Sequence, residues 1–143
     1  MSTKKESIDC RLLCEPREDD LAAIIRLYRE AGWWGAGPND RELAAGIVAG
    51  SHCFAVAAVR GEMVGMGRAI SDGVSDAYLQ DVFVHPDQRN HGVATAIVAA
   101  LLDRLEGDGL GWVGLVASNG SREMYERLGF VPMTGATALL RRR

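Results

Sequence analysis

The sequence predicts one domain, 1–143, of mixed α+β or α/β class: a central mixed sheet of about six to seven strands flanked by about four helices. Three observations carry that expectation. Short apolar runs alternate with longer stretches whose apolar residues recur at helical spacing. Glycine-, Asp- and Asn-containing turns separate them. One stretch, Tyr78 to Thr95, passes from an apolar run through a small-residue loop straight into a helix pattern.

Taken in order, Ile8 to Cys14 alternate as a first strand. Asp19 and Asp20 start a helix with Leu21, Ile24, Ile25 and Tyr28 on one face, and Gly32 ends it. The loop Trp33-Trp34-Gly35-Ala36-Gly37-Pro38 follows. Adjacent residues point in different directions, so either one indole packs while the other covers the core edge, or the pair faces a substrate. Asn39 or Asp40 caps a second helix running to about Ala49, with Leu43, Ile47 and Val48 inward. His52 to Val59, the turn Arg60-Gly61-Glu62 and Met63 to Ile70 read as a hairpin. Gly65 and Gly67 in its second strand imply close approach of a backbone or a bulky neighbour. Ser71 to Asp76 is a polar loop leading to the Tyr78 strand.

Beyond the central loop, Val93, Ile97, Leu101 and Leu105 form one helical row, with Ala94, Val98 and Leu102 beside it. Gly107-Asp108-Gly109 stops this helix. Trp112 to Ala117 is a strand, and Ser118 to Ser121 turns into a last helix bearing Met124, Tyr125 and Leu128. Gly129 ends that helix. Phe130 to Met133 and Thr137 to Leu140 suit a closing antiparallel hairpin.

Composition narrows the function classes. A chain of 143 residues buries a core without staples. A net charge of −3 weighs against nucleic acid, whose binders usually carry a basic stripe, and Arg141-Arg142-Arg143 reads as a solvated tail. Cys10, Cys14 and Cys53 form no C-x-x-C pair, and on one strand Cys10 and Cys14 lie roughly 13 Å apart, too far for a disulfide. All three are expected as buried structural thiols. Met1 to Ser7 lacks a signal-peptide core, and no apolar run approaches the ~18 residues that span a bilayer. The expectation is a soluble, cytoplasmic protein with no membrane partner. No compact His, Cys and Asp spacing suggests a metal. His52 shows no partner in the sequence, and His85 and His91 read as structural.

Two features carry chemistry. The loop Arg89-Asn90-His91-Gly92-Val93-Ala94-Thr95 could present backbone N–H groups at the positive end of a helix, where a phosphate is held, or be a plain strand-to-helix turn. It is neither a P-loop nor a dinucleotide fingerprint. In the strand before it, Gln80 and Asp81 interrupt an apolar run. A buried carboxylate such as Asp81 needs a reason, as a base, a cation-binding group or a loop cap. In a regular strand Gln80 would point to the opposite face.

Gln88-Arg89-Asn90-His91-Gly92-Val93-Ala94 resembles the Q/R-x-x-G-x-G/A signature of GNAT-superfamily N-acetyltransferases. Leu79-Gln80-Asp81-Val82-Phe83-Val84-His85-Pro86 resembles their preceding strand. Ser118-Asn119-Gly120-Ser121-Arg122-Glu123-Met124-Tyr125-Glu126-Arg127-Leu128-Gly129-Phe130 resembles their later N-x-x-A-x-x-x-Y-E-x-x-G-F helix. The strand wording is closest to diamine acetyltransferases, which commonly read Y-L-E-D there. Gln80 replaces the glutamate, so that specificity does not transfer. Asn90 stands where a glycine is frequent. Ser118 holds the usual seven-residue spacing to the tyrosine and Asn119 lies one later, so both are candidates for the cofactor contact.

The resemblance implies the GNAT fold and acetyl-CoA as cosubstrate, with no metal. Val82, Phe83 and Val84 would pair with the pantetheine arm. Arg89 and the amides of Asn90, His91, Gly92, Val93, Ala94 and Thr95 would hold the pyrophosphate, with Asn119 as a further cofactor contact. A free N–H near Val82 would meet the oxyanion, and Tyr125 would protonate the CoA thiolate. Asp81 is the candidate base, and Trp33, Trp34 and Gln80 the candidate acceptor-site residues. The expected activity is an acyl-CoA-dependent N-acyltransferase (EC 2.3.1.-) acting on a small-molecule primary amine by direct attack in a ternary complex. Two other readings stay open: a non-catalytic CoA-binding sensor, and a protein or peptide N-acetyltransferase. Homodimers are frequent in the family, so a second copy of the chain is an open partner.

Overall fold

A computed structural model describes residues 6–118 and 120–142. Its sheet begins with β1 (Ile8–Leu12), β2 (Cys53–Val59) and β3 (Glu62–Ser71), and continues through β4 (Asp76–Val84) to β5 (Trp112–Gly114). The spatial order follows the chain, β1-β2-β3-β4-β5. Every pairing is antiparallel except β4 with β5, which is parallel. A parallel neighbour needs a crossover, and α3 (Val93–Gly107) supplies it.

The helices cover both faces, so β2 is apolar throughout rather than alternating. Cys53, Ala55, Ala57 and Val59 of β2 turn toward α3, where they meet Val93, Ile97, Val98, Leu101 and Leu105. Phe54 and Val56 turn the other way, against α1 (Glu18–Glu30) and α2 (Asp40–Gly50), where Leu21, Ile24, Leu27, Tyr28, Ala44 and Val48 are buried. The start of α1 is tied down by Asp20, which accepts from the Arg17 N–H at 2.9 Å and from Arg11 Nη2 at 2.9 Å.

Gly65 and Gly67 mark the close approach expected of them. A Cβ on Gly67 would lie 2.8 Å from Ile97 Cγ2 and 3.1 Å from Val82 Cγ2; one on Gly65 would lie 2.8 Å from Ile97 Cδ1. Small residues on β3 thus let α3 lie directly on the sheet.

Five expectations are corrected. The chain Phe130–Met133 and Thr137–Leu140 forms no hairpin among the described residues, and Trp112–Ala117 is a strand only to Gly114, so the sheet has five strands rather than six to seven. A strand exists only where a partner offers ladder bonds. A three-residue β5 offers few, and Val131, Met133, Leu139 and Leu140 are left exposed. Leu43 is 49% exposed, because the Ala44 and Val48 row of α2, not Leu43, faces the core. Cys14 is exposed and Cys10 half-buried; only Cys53 is buried. His52 does have a partner, its Nε2 lying 2.7 Å from Asp108 Oδ2, which Arg104 Nε also reaches at 2.8 Å. Lastly, β4 is not regular. Met66 pairs with Phe83 but Arg68 pairs with Gln80, so Asp81 and Val82 both stand opposite Gly67, and Asp81 has φ +58°. This is a bulge, and it re-aims the side chains around it.

Candidate functional site

The site begins where two parallel strands part. Pairing of β4 with β5 covers Asp76 to Tyr78 and stops at Gly114, whereas β4 runs on to Val84. The edge of β4 from Leu79 to Val84 therefore has no β5 partner among the described residues. Val82 packs toward α3, Phe83 toward α1, and Val84 is buried on the α3 side. The Val84 carbonyl accepts from Arg89 Nε at 3.1 Å, and the same guanidinium lies 5.7 Å above the Phe83 ring.

Just past this edge the chain turns through a single 3₁₀ turn, Pro86–Gln88, into α3. His85 holds that turn, its Nδ1 accepting from the Asp87 N–H at 3.1 Å. Asn90 (φ +64°) and Gly92 (φ +85°) carry the left-handed backbone that aims the loop. Gly92 is the N-cap of α3, no side chain caps it, and the first turn holds no acidic residue. The first backbone bond closing the helix runs from the Ala96 N–H to the Gly92 carbonyl. The N–H groups of Val93, Ala94 and Thr95 thus meet no acceptor among the described residues, at the positive end of a 15-residue helix. A Cβ on Gly92 would meet nothing within 4 Å, so the space above the loop is open. Asn90, His91 and Thr95 are exposed around it.

Tyr125 comes from α4 (Arg122–Arg127) and is buried, with Phe130 edge-on to it at 5.7 Å. Burial raises its hydroxyl above the usual tyrosine range, so it remains a proton donor in alkaline solution. No hydrogen bond holds that hydroxyl among the described residues. Tyr125 lines a cleft of about 750 Å³ together with Tyr78, Leu102, Trp112 and Val116. Ser118 accepts from both the N–H and the hydroxyl of Ser121 through its carbonyl. Asn119 lies outside the described residues.

On the other face of β4, Asp81 Oδ2 accepts from the Tyr28 hydroxyl at 2.7 Å and from Arg68 Nε at 2.8 Å. Burial, and after it the bond to Asp81, push the Tyr28 pKa far up. Trp34 stacks on Tyr28 at 4.2 Å, and Trp33 meets Phe83 edge-on at 5.9 Å while remaining half exposed. Trp34 thus packs, while Trp33 keeps one side open to solvent. Gln80 is exposed and stands across the ladder from Arg68. Cross-strand partners share a face, so the bulge leaves Gln80 on the same face as Asp81's partner, not on the opposite one. A shallow groove of about 330 Å³ runs from Arg68 along Glu42, Leu43, Gly46, Ile47 and Gly50.

The structure thus assembles Trp33, Trp34, Gln80 and Asp81 on the α1 and α2 side, the loop at the tip of α3, and Tyr125 on the α4 side. The unpaired β4 edge lies between them. Two residues of this site, Tyr28 and Arg68, are not among the candidates that the sequence marks; Tyr28 stands in the core row of α1. The signal for Arg68 was a lone guanidinium inside an otherwise apolar strand. Among the described residues no group of three or more His, Cys, Asp or Glu could hold a metal ion. No helix there is long and apolar enough to cross a membrane.

Comparison with known proteins points the same way. The chain is 33% identical over 69 residues to GCN5-related N-acetyltransferase 2, chloroplastic, of Arabidopsis thaliana, a match covering 48% of this chain and 27% of that protein. It is 30% identical over 70 residues to an uncharacterized N-acetyltransferase, ycf52, of Pyropia yezoensis, covering 49% of this chain and 40% of that one. These matches take in well under two thirds of either relative. Among solved structures, a Trypanosoma brucei acetyltransferase superposes with a TM-score of 0.75 at 22% identity, over 93% of this chain and 99% of that one. The aminoglycoside N-acetyltransferase AAC(6')-Iy, in complex with a CoA-linked acetylneamine bisubstrate analogue, superposes with 0.73 at 20% identity, over 96% and 99%. Likeness at that identity shows a shared fold. Residues 21–130 match the profile described as the acetyltransferase (GNAT) family. With most of the chain inside that match and the strand, loop and helix of the site inside it too, this chain belongs to the acetyltransferase (GNAT) family.

Proposed function

We propose that the chain transfers an acetyl group from acetyl-CoA to a small-molecule primary amine, by direct attack within a ternary complex. The observation that carries this reading is the parting of β4 from β5 directly beside an uncapped helix N-terminus. A free strand edge can take an extended amide-bearing arm as an added strand, and the bare N–H groups of α3 suit the pyrophosphate at its far end. The open space over Gly92 lets a phosphate come close to the backbone.

In this reading the nitrogen lone pair of the amine attacks the thioester carbonyl, and the N–H near Val82 stabilises the developing oxyanion. The carbon–sulfur bond then breaks, and Tyr125, kept protonated by burial, gives its proton to the departing thiolate. Asp81 is assigned the acceptor's ammonium: it draws the cation to the site and takes up its proton through water. Its Oδ2 already carries Tyr28 and Arg68, which hold the carboxylate in place. Trp33 and Gln80, exposed beside it, face the incoming acceptor.

The test is release of free CoA thiol from acetyl-CoA across a panel of amines, polyamines, amino acids and peptides, beside calorimetric binding of acetyl-CoA. Turnover with small amines supports the proposal. Turnover confined to peptides replaces the acceptor class, and tight binding without turnover on any acceptor leaves a CoA-binding sensor in its place.

A further inference from the structure

At the end of the sheet away from the loop, the register of β1 on β2 brings two thiols together. The pairs Ile8 with Val59 through Leu12 with Ala55 follow without a slip. Leu13 continues the ladder, its N–H donating to the Phe54 carbonyl at 2.7 Å. The paired strand ends at Leu12 and the chain bends at Cys14; carried one step further, the same register would set Cys14 opposite Cys53. The alternation of faces agrees: Leu12 and Ala55 lie on the α3 side, Leu13 and Phe54 on the α1 side, and Cys53 again on the α3 side. Since Leu13 and Phe54 make a ladder bond, a continued register would make the next pair of the non-hydrogen-bonded kind, whose Cα atoms stand about 4.5 Å apart. That spacing falls within the roughly 4.4–6.8 Å that a disulfide spans.

We propose that Cys14 and Cys53 form a reversible cross-strand disulfide by exchange with a low-molecular-weight disulfide such as oxidised glutathione. Cys14 is exposed at the strand end and takes the first step, its thiolate attacking one glutathione sulfur and expelling the other as thiol. Cys53, buried beneath it, then attacks the Cys14 sulfur and expels the second glutathione. Two protein thiols and one oxidised glutathione become one protein disulfide and two reduced glutathiones. Burial first, and in smaller measure Asp108 and Cys14, push the Cys53 thiol up to about 11, while Arg104 opposes them. The loop so closed contains α1, which carries Tyr28, α2, and the connection between them, which carries Trp33 and Trp34.

The test equilibrates the full chain with glutathione buffers of rising oxidised fraction, alkylates the remaining thiols, and maps non-reduced tryptic peptides. Cleavage at arginine and lysine puts Cys10 on Glu6–Arg11, Cys14 on Leu12–Arg17 and Cys53 on Glu42–Arg60, so each thiol is read separately. The expected product is a cross-linked pair of the latter two peptides, about 2 Da lighter than their reduced sum, with Cys10 still alkylated and full reversal by dithiothreitol. Cys10→Ser should keep the cross-link, and the exposed Cys14→Ser should abolish it in a folded protein. Alkylation of all three cysteines in every buffer, glutathione resting on Cys14 with Cys53 free, or a bridge through Cys10 would each overturn the proposal.

Discussion

Arg68 and Asp81 face each other across the β3–β4 bulge, Nε to Oδ2 at 2.8 Å, with both side chains only 16% exposed. Removing the charge of one member leaves the other poorly solvated and unpaired. Asp81 also sits at φ +58°, which asparagine tolerates and β-branched residues do not. Asp81→Asn should therefore lower stability by about 1–3 kcal/mol. Asp81→Val, which also forces the backbone, should cost more. Urea denaturation of the two variants checks the order, and equal midpoints would remove the backbone contribution.

Tyr125→Phe deletes the hydroxyl while keeping the ring against Phe130. If this hydroxyl protonates the thiolate, kcat should fall about a hundredfold or more, with acetyl-CoA affinity nearly unchanged. Steady-state kinetics beside calorimetric binding separates the two quantities.

Gly92→Ala places a methyl in the open space over the loop and forces alanine to φ +85°. The backbone cost is about 1 kcal/mol. If the pyrophosphate occupies that space, the KM for acetyl-CoA should rise well beyond what the stability loss explains, while Gly109→Ala, at φ +80° on the far end of α3, should leave KM alone.

Gly67→Ala tests the seat of α3. Its new Cβ would meet Ile97, Val82 and Leu101 at 2.8, 3.1 and 3.4 Å, all within the packed core. Overpacking of this kind costs about 1–3 kcal/mol, readable as a lower melting temperature. A second substitution, Ile97→Val, removes only Cδ1 and keeps the Cγ2 that this Cβ meets, so it should not return the loss, whereas it should ease Gly65→Ala, whose Cβ meets Cδ1.

Alkaline stability follows from raised thiol and hydroxyl groups, among them two tyrosines and two cysteines, Cys10 lifted by burial. Burial lifts Tyr125 above its ordinary 10.0, burial with the Asp81 bond lifts Tyr28, and burial lifts the Cys53 thiol from 9.0 to about 11. In each the folded state holds its proton more tightly than the unfolded chain, which begins to release them from about pH 9 upward. The unfolded state then binds fewer protons, so stability is fully present below about pH 9 and falls as the pH rises through 10 and beyond. Denaturant midpoints between about pH 8 and pH 11 should decline, and Tyr28→Phe should flatten part of the decline.

What could be read from the chain depended on how local the signal was. The row Val93, Ile97, Leu101, Leu105 and the glycine loop before it need only neighbouring residues, and α3 lies where they put it. In α2 two adjacent rows compete, one with Leu43 and Ile47, the other with Ala44 and Val48. Packing against α1 buries the smaller row, which is information the helix itself does not contain. The bond between Tyr28 and Asp81 spans 53 positions and depends on one extra residue in β4, so no periodicity reports it. The pairing of His52 with Asp108 was hidden for the same reason. The closing hairpin failed because an apolar alternation says a segment can be a strand but not whether a partner edge awaits it.

The shortness of β5 has one more consequence. The wedge between it and β4 opens where ladder bonding stops at Gly114. An opening made by absence asks little of the residues along its walls. If the proposed carrier lies along this edge, they are free to drift toward different acceptors while its berth stays put. Structures with barely a fifth of their residues in common with this chain superpose on it along nearly its whole length, as expected if backbone course rather than side-chain identity preserves the berth.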